Sequence, residues 1–307
     1  MDLSSWTMPS AVATERTFAT ERAEVDRALA EFCDRYLGEL PAAVADAIRY
    51  SLLGEGKRLR AILVMASHRA AGGTGVVTEL AAAVEVVHAY SLVHDDLPCM
   101  DDDDMRRGRA TVHRVFGVPV ATAAGLAMVP LAAWAADDAA RSLGLAPDVC
   151  GDIGRTLMVA SGAGGMIGGQ LLDLDGEGTA LTLAELEGVH RAKTGALIAA
   201  SVRLGGMAAG ATDGAMRALG SYGDAIGLAF QIADDVLDVT ATTDQLGKVA
   251  GRDLALKKST YPALLGVRGA VDRAESLVDD ACAALAGEGI LTPDLEYLAR
   301  FMVKRTS

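Results

Sequence analysis

Six aspartates fall between Asp95 and Asp104 in the stretch SLVHDDLPCMDDDDMRRGRATVH, residues 91–113, and Arg106, Arg107 and Arg109 follow at once. Carboxylates this crowded repel one another unless cations neutralise them. Divalent metal ions would do so, and the neighbouring arginines could hold the anions that such metals carry. A second acidic cluster lies in FQIADDVLD, residues 230–238. Asp234 and Asp238 are four apart, as are Gln231 and Asp235, so on a helix each pair projects together, with Ile232, Val236 and Val239 on another side. Hard carboxylate oxygens suit Mg2+, which usually completes its octahedron with water and phosphate oxygens. One such cluster is usually a solvated face or a helix cap. Two in a single chain point to a diphosphate clamped by metal ions between facing walls.

Both clusters sit near the C-terminal ends of apolar helical patterns, and helices account for nearly the whole chain. Hydrophobic residues make up 51% of the 307 residues and aromatics only 4%, so the core is built from Ala, Leu, Val and Met, a composition that favours helix over strand. Helical periodicity predicts segments at 15–39, 41–53, 58–71, 77–95, 117–142, 147–173, 182–207, 212–238, 260–287 and 292–303. Short joints separate them, GEG at 54–56 and AGGTG at 71–75 among them, so neighbours should pack antiparallel. No hairpin and no domain boundary is expected. The fold class is all-α: a single-domain antiparallel bundle over residues 1–307, with about residues 1–14 ragged.

A net charge of −13 argues against a nucleic-acid partner. Cys33, Cys99, Cys150 and Cys282 show no metal-ligand or redox spacing, which suits a reducing compartment. The N-terminus lacks a cationic segment followed by an apolar run, so a cytoplasmic location is expected. Residues 117–136 carry no charge over twenty positions, long enough to span a bilayer. Their Ala, Gly and Pro content instead predicts a buried helix or a subunit interface, with no membrane span.

DDLPCMDDDDMRRG and QIADDVLD resemble the two aspartate-rich motifs of the trans-isoprenyl diphosphate synthases, the polyprenyl synthetase family. YSLLGEGKRLR at 50–60 is similar to that family's GGKRxRP region. GGQLLDLDGEG at 168–178, HRAKTGALI at 190–198 and GKVAGRDLALKKSTYPALLG at 247–266 also match, in family order. The resemblance implies an isoprenoid-synthase bundle with a central cavity, a homodimer, and condensation of isopentenyl diphosphate with an allylic diphosphate. It implies Mg2+, three ions to a site, with Mn2+ as a substitute. Asp95, Asp96 and Asp101 would bind metal on the allylic diphosphate, and Asp234, Asp235 and Asp238 a further ion. Arg106 would contact the allylic diphosphate and Arg107 the isopentenyl diphosphate, whose pocket Lys57, Arg60 and His88 complete. Lys193, Lys248 and Lys258 would neutralise the leaving diphosphate, while Thr194 and Gln231 face the developing carbocation.

Other charges near the motifs have plainer expected roles. Asp102, Asp103, Asp104 and Arg109 read as solvated loop charges, and His94 and His113 as structural. Arg58 either binds substrate or braces its loop. Three positions depart from the family pattern: Leu126 follows Gly125 where Asp is common, and Ala61 and Ala110 stand for Pro. A class I terpene cyclase lacks the isopentenyl site and usually alters the second motif, and a non-catalytic subunit typically loses aspartates; neither pattern is present. Tyr90 lies five residues before Asp95, about 7.5 Å along a helix, where a ring could floor the pocket. The expected product is therefore farnesyl diphosphate, with geranylgeranyl diphosphate the alternative.

Overall fold

The structure is a computed structural model that describes residues 18–240 and 258–304. Thirteen α-helices and one short π-helical segment are present among them. The first four are α1 (Ala19–Tyr36), α2 (Ala42–Leu52), α3 (Leu59–Ala70) and α4 (Thr78–Asp95). A two-stranded hairpin follows, β1 (Met105–Arg106) with β2 (Arg109–Ala110), and then α5 (Val112–Phe116) and α6 (Val118–Ser142). Next come α7 (Pro147–Ser161), α8 (Met166–Asp175), α9 (Leu183–His190), the π segment Arg191–Gly195 and α10 (Ala196–Ala208). The last three are α11 (Asp213–Thr240), α12 (Tyr261–Gly287) and α13 (Pro293–Lys304).

Apolar periodicity explains the bundle. Helix α4 is buried on nearly every side and packs against α1, α3 and α6, as expected of a helix apolar all round. Helix α11 buries Ile226, Leu228, Ile232 and Val236 against α10 and α12. Two buried clusters form the core, one around α4 and α6 and the other around α11 and α12. Helix α9 starts with a capping box: Thr182 Oγ1 accepts the Glu185 N–H, and Glu185 Oε2 accepts the Thr182 N–H at 2.8 Å.

Three expectations need correcting. The helix expected at 147–173 is two helices, because glycines 162, 164 and 165 make continuation costly. The helix expected at 182–207 is interrupted by the π segment at Arg191–Gly195. The segment expected to hold no hairpin has one at 105–110, turned by Arg107 (φ 52°) and Gly108 (φ 73°). The uncharged segment 117–136 is the N-cap Gly117 and the first part of α6, a helix long and apolar enough to cross a membrane by length and composition. It is a working member of the bundle: Ala121, Ala124, Gly125, Met128 and Ala132 are buried against its neighbours, while Leu126 and Trp134 face outward.

Candidate active site

The C-terminal ends of α4 and α11 open onto one cleft of about 310 Å3, lined by Asp95, Asp101, Asp103 and Arg106 on one side and Gln231, Asp234, Asp235 and Asp238 on the other. Helix C-termini carry negative partial charge, so both acidic clusters sit where they are electrostatically least favoured without cations.

The first wall is a folded loop. After α4 the chain doubles back: the Asp101 N–H donates to the Asp95 carbonyl at 2.8 Å, and the Asp102 N–H to the Leu97 carbonyl at 3.1 Å. This turn brings Asp101 back to the mouth of the cleft with Asp95 despite six intervening steps. Burial lifts the Asp95 carboxyl to about 6, with Lys193 opposing the rise. Asp96, next along the same helix end, is only 3% exposed. Its Oδ1 accepts from Arg106 Nε at 2.7 Å and Nη2 at 2.6 Å. Burial raises the Asp96 carboxyl, and Arg106 holds it back. Of the expected loop charges, Asp102 and Asp104 are exposed, but Asp103 lines the cleft 3.7 Å from Arg106. Arg109 lies over the Tyr50 ring, 4.1 Å from its centroid.

The second wall is regular helix. Asp234 is half-buried, while Asp235 and Asp238 are buried. Asp235 has a structural duty as well: its Oδ2 accepts the Tyr261 N–H at 2.9 Å, tying α11 to the first residue of α12. Of the apolar residues on the other side, Ile232 and Val236 are buried and Val239 is 47% exposed.

Between the walls, the π segment delivers Lys193 and Thr194 to the cleft. Its close packing depends on Gly169 of α8, where a Cβ would collide with the Lys193 backbone nitrogen. Lys193 Nζ and Lys258 Nζ both donate to Asp173 Oδ2 at 2.7 Å. Burial alone would raise the Asp173 carboxyl; the two lysines bring it below its ordinary value. His190 also lines the cleft, and burial lowers its imidazole to about 4. It is therefore neutral and stands 4.0 Å from Asp235. Lys248 lies outside the described residues.

Next to the first wall is a basic basin. Lys57 is exposed on the loop before α3, and Arg60 is one turn further on. Arg58 takes a left-handed backbone (φ 51°) and is buried, donating to Asp26 at 2.8 Å and to the Leu52 and Gly54 carbonyls at 3.0 and 2.7 Å. It braces the loop. Burial lowers Arg60 to about 10, with Glu85 opposing and Arg107 reinforcing. Burial, followed by Arg60, Arg107, Arg106 and Arg58, pushes His88 well below its ordinary value. Arg60 Nε and His88 Nδ1 are buried without hydrogen-bond partners. Orphaned polar atoms facing concentrated positive charge suit an anion rich in acceptors.

Residues 41–284 match the polyprenyl synthetase family. This chain belongs to that family. It is 47% identical over 286 residues to farnesyl diphosphate synthase of Escherichia coli (strain K12), covering 88% of this chain and 93% of that one. It is 41% identical to a chloroplastic geranylgeranyl pyrophosphate synthase of Arabidopsis thaliana, covering 86% and 77%. The solved geranyltransferase of Legionella pneumophila superposes with a TM-score of 0.84 at 29% identity, covering 97% and 99%. The polyprenyl synthetase fold is thus the frame for both walls. Asp173, His190 and Glu85 were not singled out from the sequence. The first two lie in the motifs GGQLLDLDGEG and HRAKTGALI, whereas Glu85 carried no signal beyond its place three residues before His88.

Proposed function

We propose that the protein is a prenyltransferase that condenses isopentenyl diphosphate head-to-tail with dimethylallyl or geranyl diphosphate, with farnesyl diphosphate as the main product. The observation that supports this most is the adjoining of two unlike binding regions. One is a cleft with two carboxylate walls and a lysine pair; the other is an arginine basin with unpartnered buried nitrogens at Arg60 and His88.

The donor set suits Mg2+. It is made of hard carboxylate oxygens, and Mg2+ commonly completes its shell with water and substrate phosphates. Asp95, Asp96 and Asp101 would hold metal on one wall and Asp234, Asp235 and Asp238 on the other. Bound there, Mg2+ would supply Lewis-acid stabilisation of the departing diphosphate.

The chain's own residues do the rest. Arg106, Lys193 and Lys258 place fixed positive charge where negative charge builds as the allylic carbon–oxygen bond breaks. Lysines held by Asp173 need little reorganisation to meet that charge. Thr194 and Gln231 offer oxygen dipoles to the allylic cation without a strong nucleophile. Lys57, Arg60, Arg107 and His88 hold isopentenyl diphosphate so that its alkene approaches at near-attack distance.

Tyr90 is buried on α4, five residues before Asp95. We assign it to the floor that stops chain growth, because a packed tyrosine ring denies space to a further isoprene unit. Tyr90→Ala should shift products to twenty carbons or longer. The exposed Leu126, Pro130 and Trp134 ridge of α6 supports a homodimer, and the enzyme is assigned to the cytoplasm. Purified protein, Mg2+, isopentenyl diphosphate and each allylic starter, with products read by mass spectrometry, test the whole reading. Fifteen-carbon product is expected. Mainly twenty-carbon product would make it a geranylgeranyl diphosphate synthase, and no elongation at all would refute the activity.

A further inference from the structure

Helix α6 contains a glycine where local propensity asks for alanine. Gly125 stands among Ala123, Ala124 and Ala127, in the interior of a 25-residue helix. Glycine there weakens a helix relative to alanine, so something must exclude a methyl group. That something is the ring of His94 on α4: a Cβ at position 125 would overlap its Nε2 and Cδ2. The imidazole fills the slot the glycine leaves open.

The ring is held there from two directions. His94 Nε2 lies 3.2 Å from the Thr122 carbonyl oxygen. A backbone carbonyl only accepts, so Nε2 carries the hydrogen and donates, which fixes the ring's plane. On its other side, His94 meets Tyr90 one helical turn away, with centroids 4.9 Å apart and planes at 70°. Residues four apart share a helix face, and an edge-to-face pair restricts both rings. Tyr90 is only 6% exposed. The chain of restraint therefore runs from the Thr122 carbonyl and the Gly125 slot, through His94, to Tyr90.

We infer that His94, seated in the Gly125 slot, is a specificity-determining positioning residue that sets product length by fixing the Tyr90 ring. The inference rests on Tyr90 being the floor, and it extends that reading to two residues not expected to touch the growing chain. His94 acts through Tyr90. Loss of the slot or of the ring should free the tyrosine to swing aside and admit a further isoprene unit, without altering how isopentenyl diphosphate is held.

The test compares His94→Ala, Gly125→Ala, Tyr90→Ala and the doubles of each of the first two with Tyr90→Ala, reading product length by mass spectrometry and KM for isopentenyl diphosphate. His94→Ala removes the ring without overpacking, so it keeps the test sound if Gly125→Ala folds poorly. Both single variants should raise the twenty-carbon share several-fold with KM unchanged. Neither should add to that share once Tyr90 is alanine, and His94→Phe, which keeps a ring in the slot, should retain most of the wild-type distribution. If Tyr90→Ala lengthens products while His94→Ala and Gly125→Ala do not, the floor stands and the positioning role is overturned. Lengthening by His94→Ala of equal size with and without Tyr90 overturns it as well. If Tyr90→Ala changes nothing, the floor reading fails. A crystal structure of His94→Ala then decides the restraint itself: an unmoved Tyr90 ring overturns it.

Discussion

The first and second aspartate motifs reach one cleft from unlike backbones. Asp95, Asp96 and Asp101 are set by a helix end, a doubled-back loop with a left-handed residue at Asp102, and a hairpin with another at Arg107. Asp234, Asp235 and Asp238 sit on uninterrupted helix and need only the 3.6-residue repeat to align. The charge around them differs too. In the first motif Arg106 is bound to buried Asp96, so part of the negative charge is neutralised within the wall. In the second, Asp235 is tied to a backbone N–H of α12, and the lysines are held across the cleft by Asp173. The irregular motif carries its own countercharge, whereas the regular one depends on partners from distant segments.

The comparison can be broken first at the metal. If both walls hold it, Asp95→Ala and Asp234→Ala should each cut turnover by about 10²-fold or more, with the circular dichroism of the helices retained. Chelation should abolish turnover and Mg2+ restore it. Near-normal turnover in either variant would reduce the cleft to a single working wall.

The next largest effect falls on stability. Arg106→Ala strands Asp96 as a buried carboxylate, and removing one member of such a pair costs about 3 kcal/mol, read as a lower urea midpoint. Asp173→Asn should cost about 2 kcal/mol, the scale of a charge-assisted hydrogen bond. It should also weaken inorganic diphosphate binding less than it weakens the fold, because the freed lysines still attract the anion. The smallest effect is expected at Asp235→Ala, which takes one acceptor from the start of α12 and should cost about 1 kcal/mol, as loss of a cap does. If Asp235→Ala destabilises more than Arg106→Ala, the ranking of the two walls is reversed.

Which parts were readable from the sequence follows the same division. The helices and the second motif depend on local spacing, so periodicity placed α4, α11 and α12 closely. The six-residue return of Asp101 to Asp95 was legible only through resemblance to the family, since no helical or strand repeat brings them together. Asp103, which looked like a solvated loop charge, lines the cleft because the loop closes on itself. The π segment was invisible to periodicity: one extra residue per turn leaves the apolar pattern on either side intact.

Sequence alone determined the all-helical class, the two carboxylate clusters, the basic residues of the GEGKRLR loop and the family, because each is written in residue type and short-range spacing. Tertiary structure decided what joins across long separations. It brought Asp173 to Lys193, 20 residues away, and to Lys258, 85 away. It turned Arg58 inward to Asp26, 32 residues away, and seated His94 against Gly125. A charge or a ring finds its partner only when the core has packed, because burial removes the water that would otherwise satisfy it.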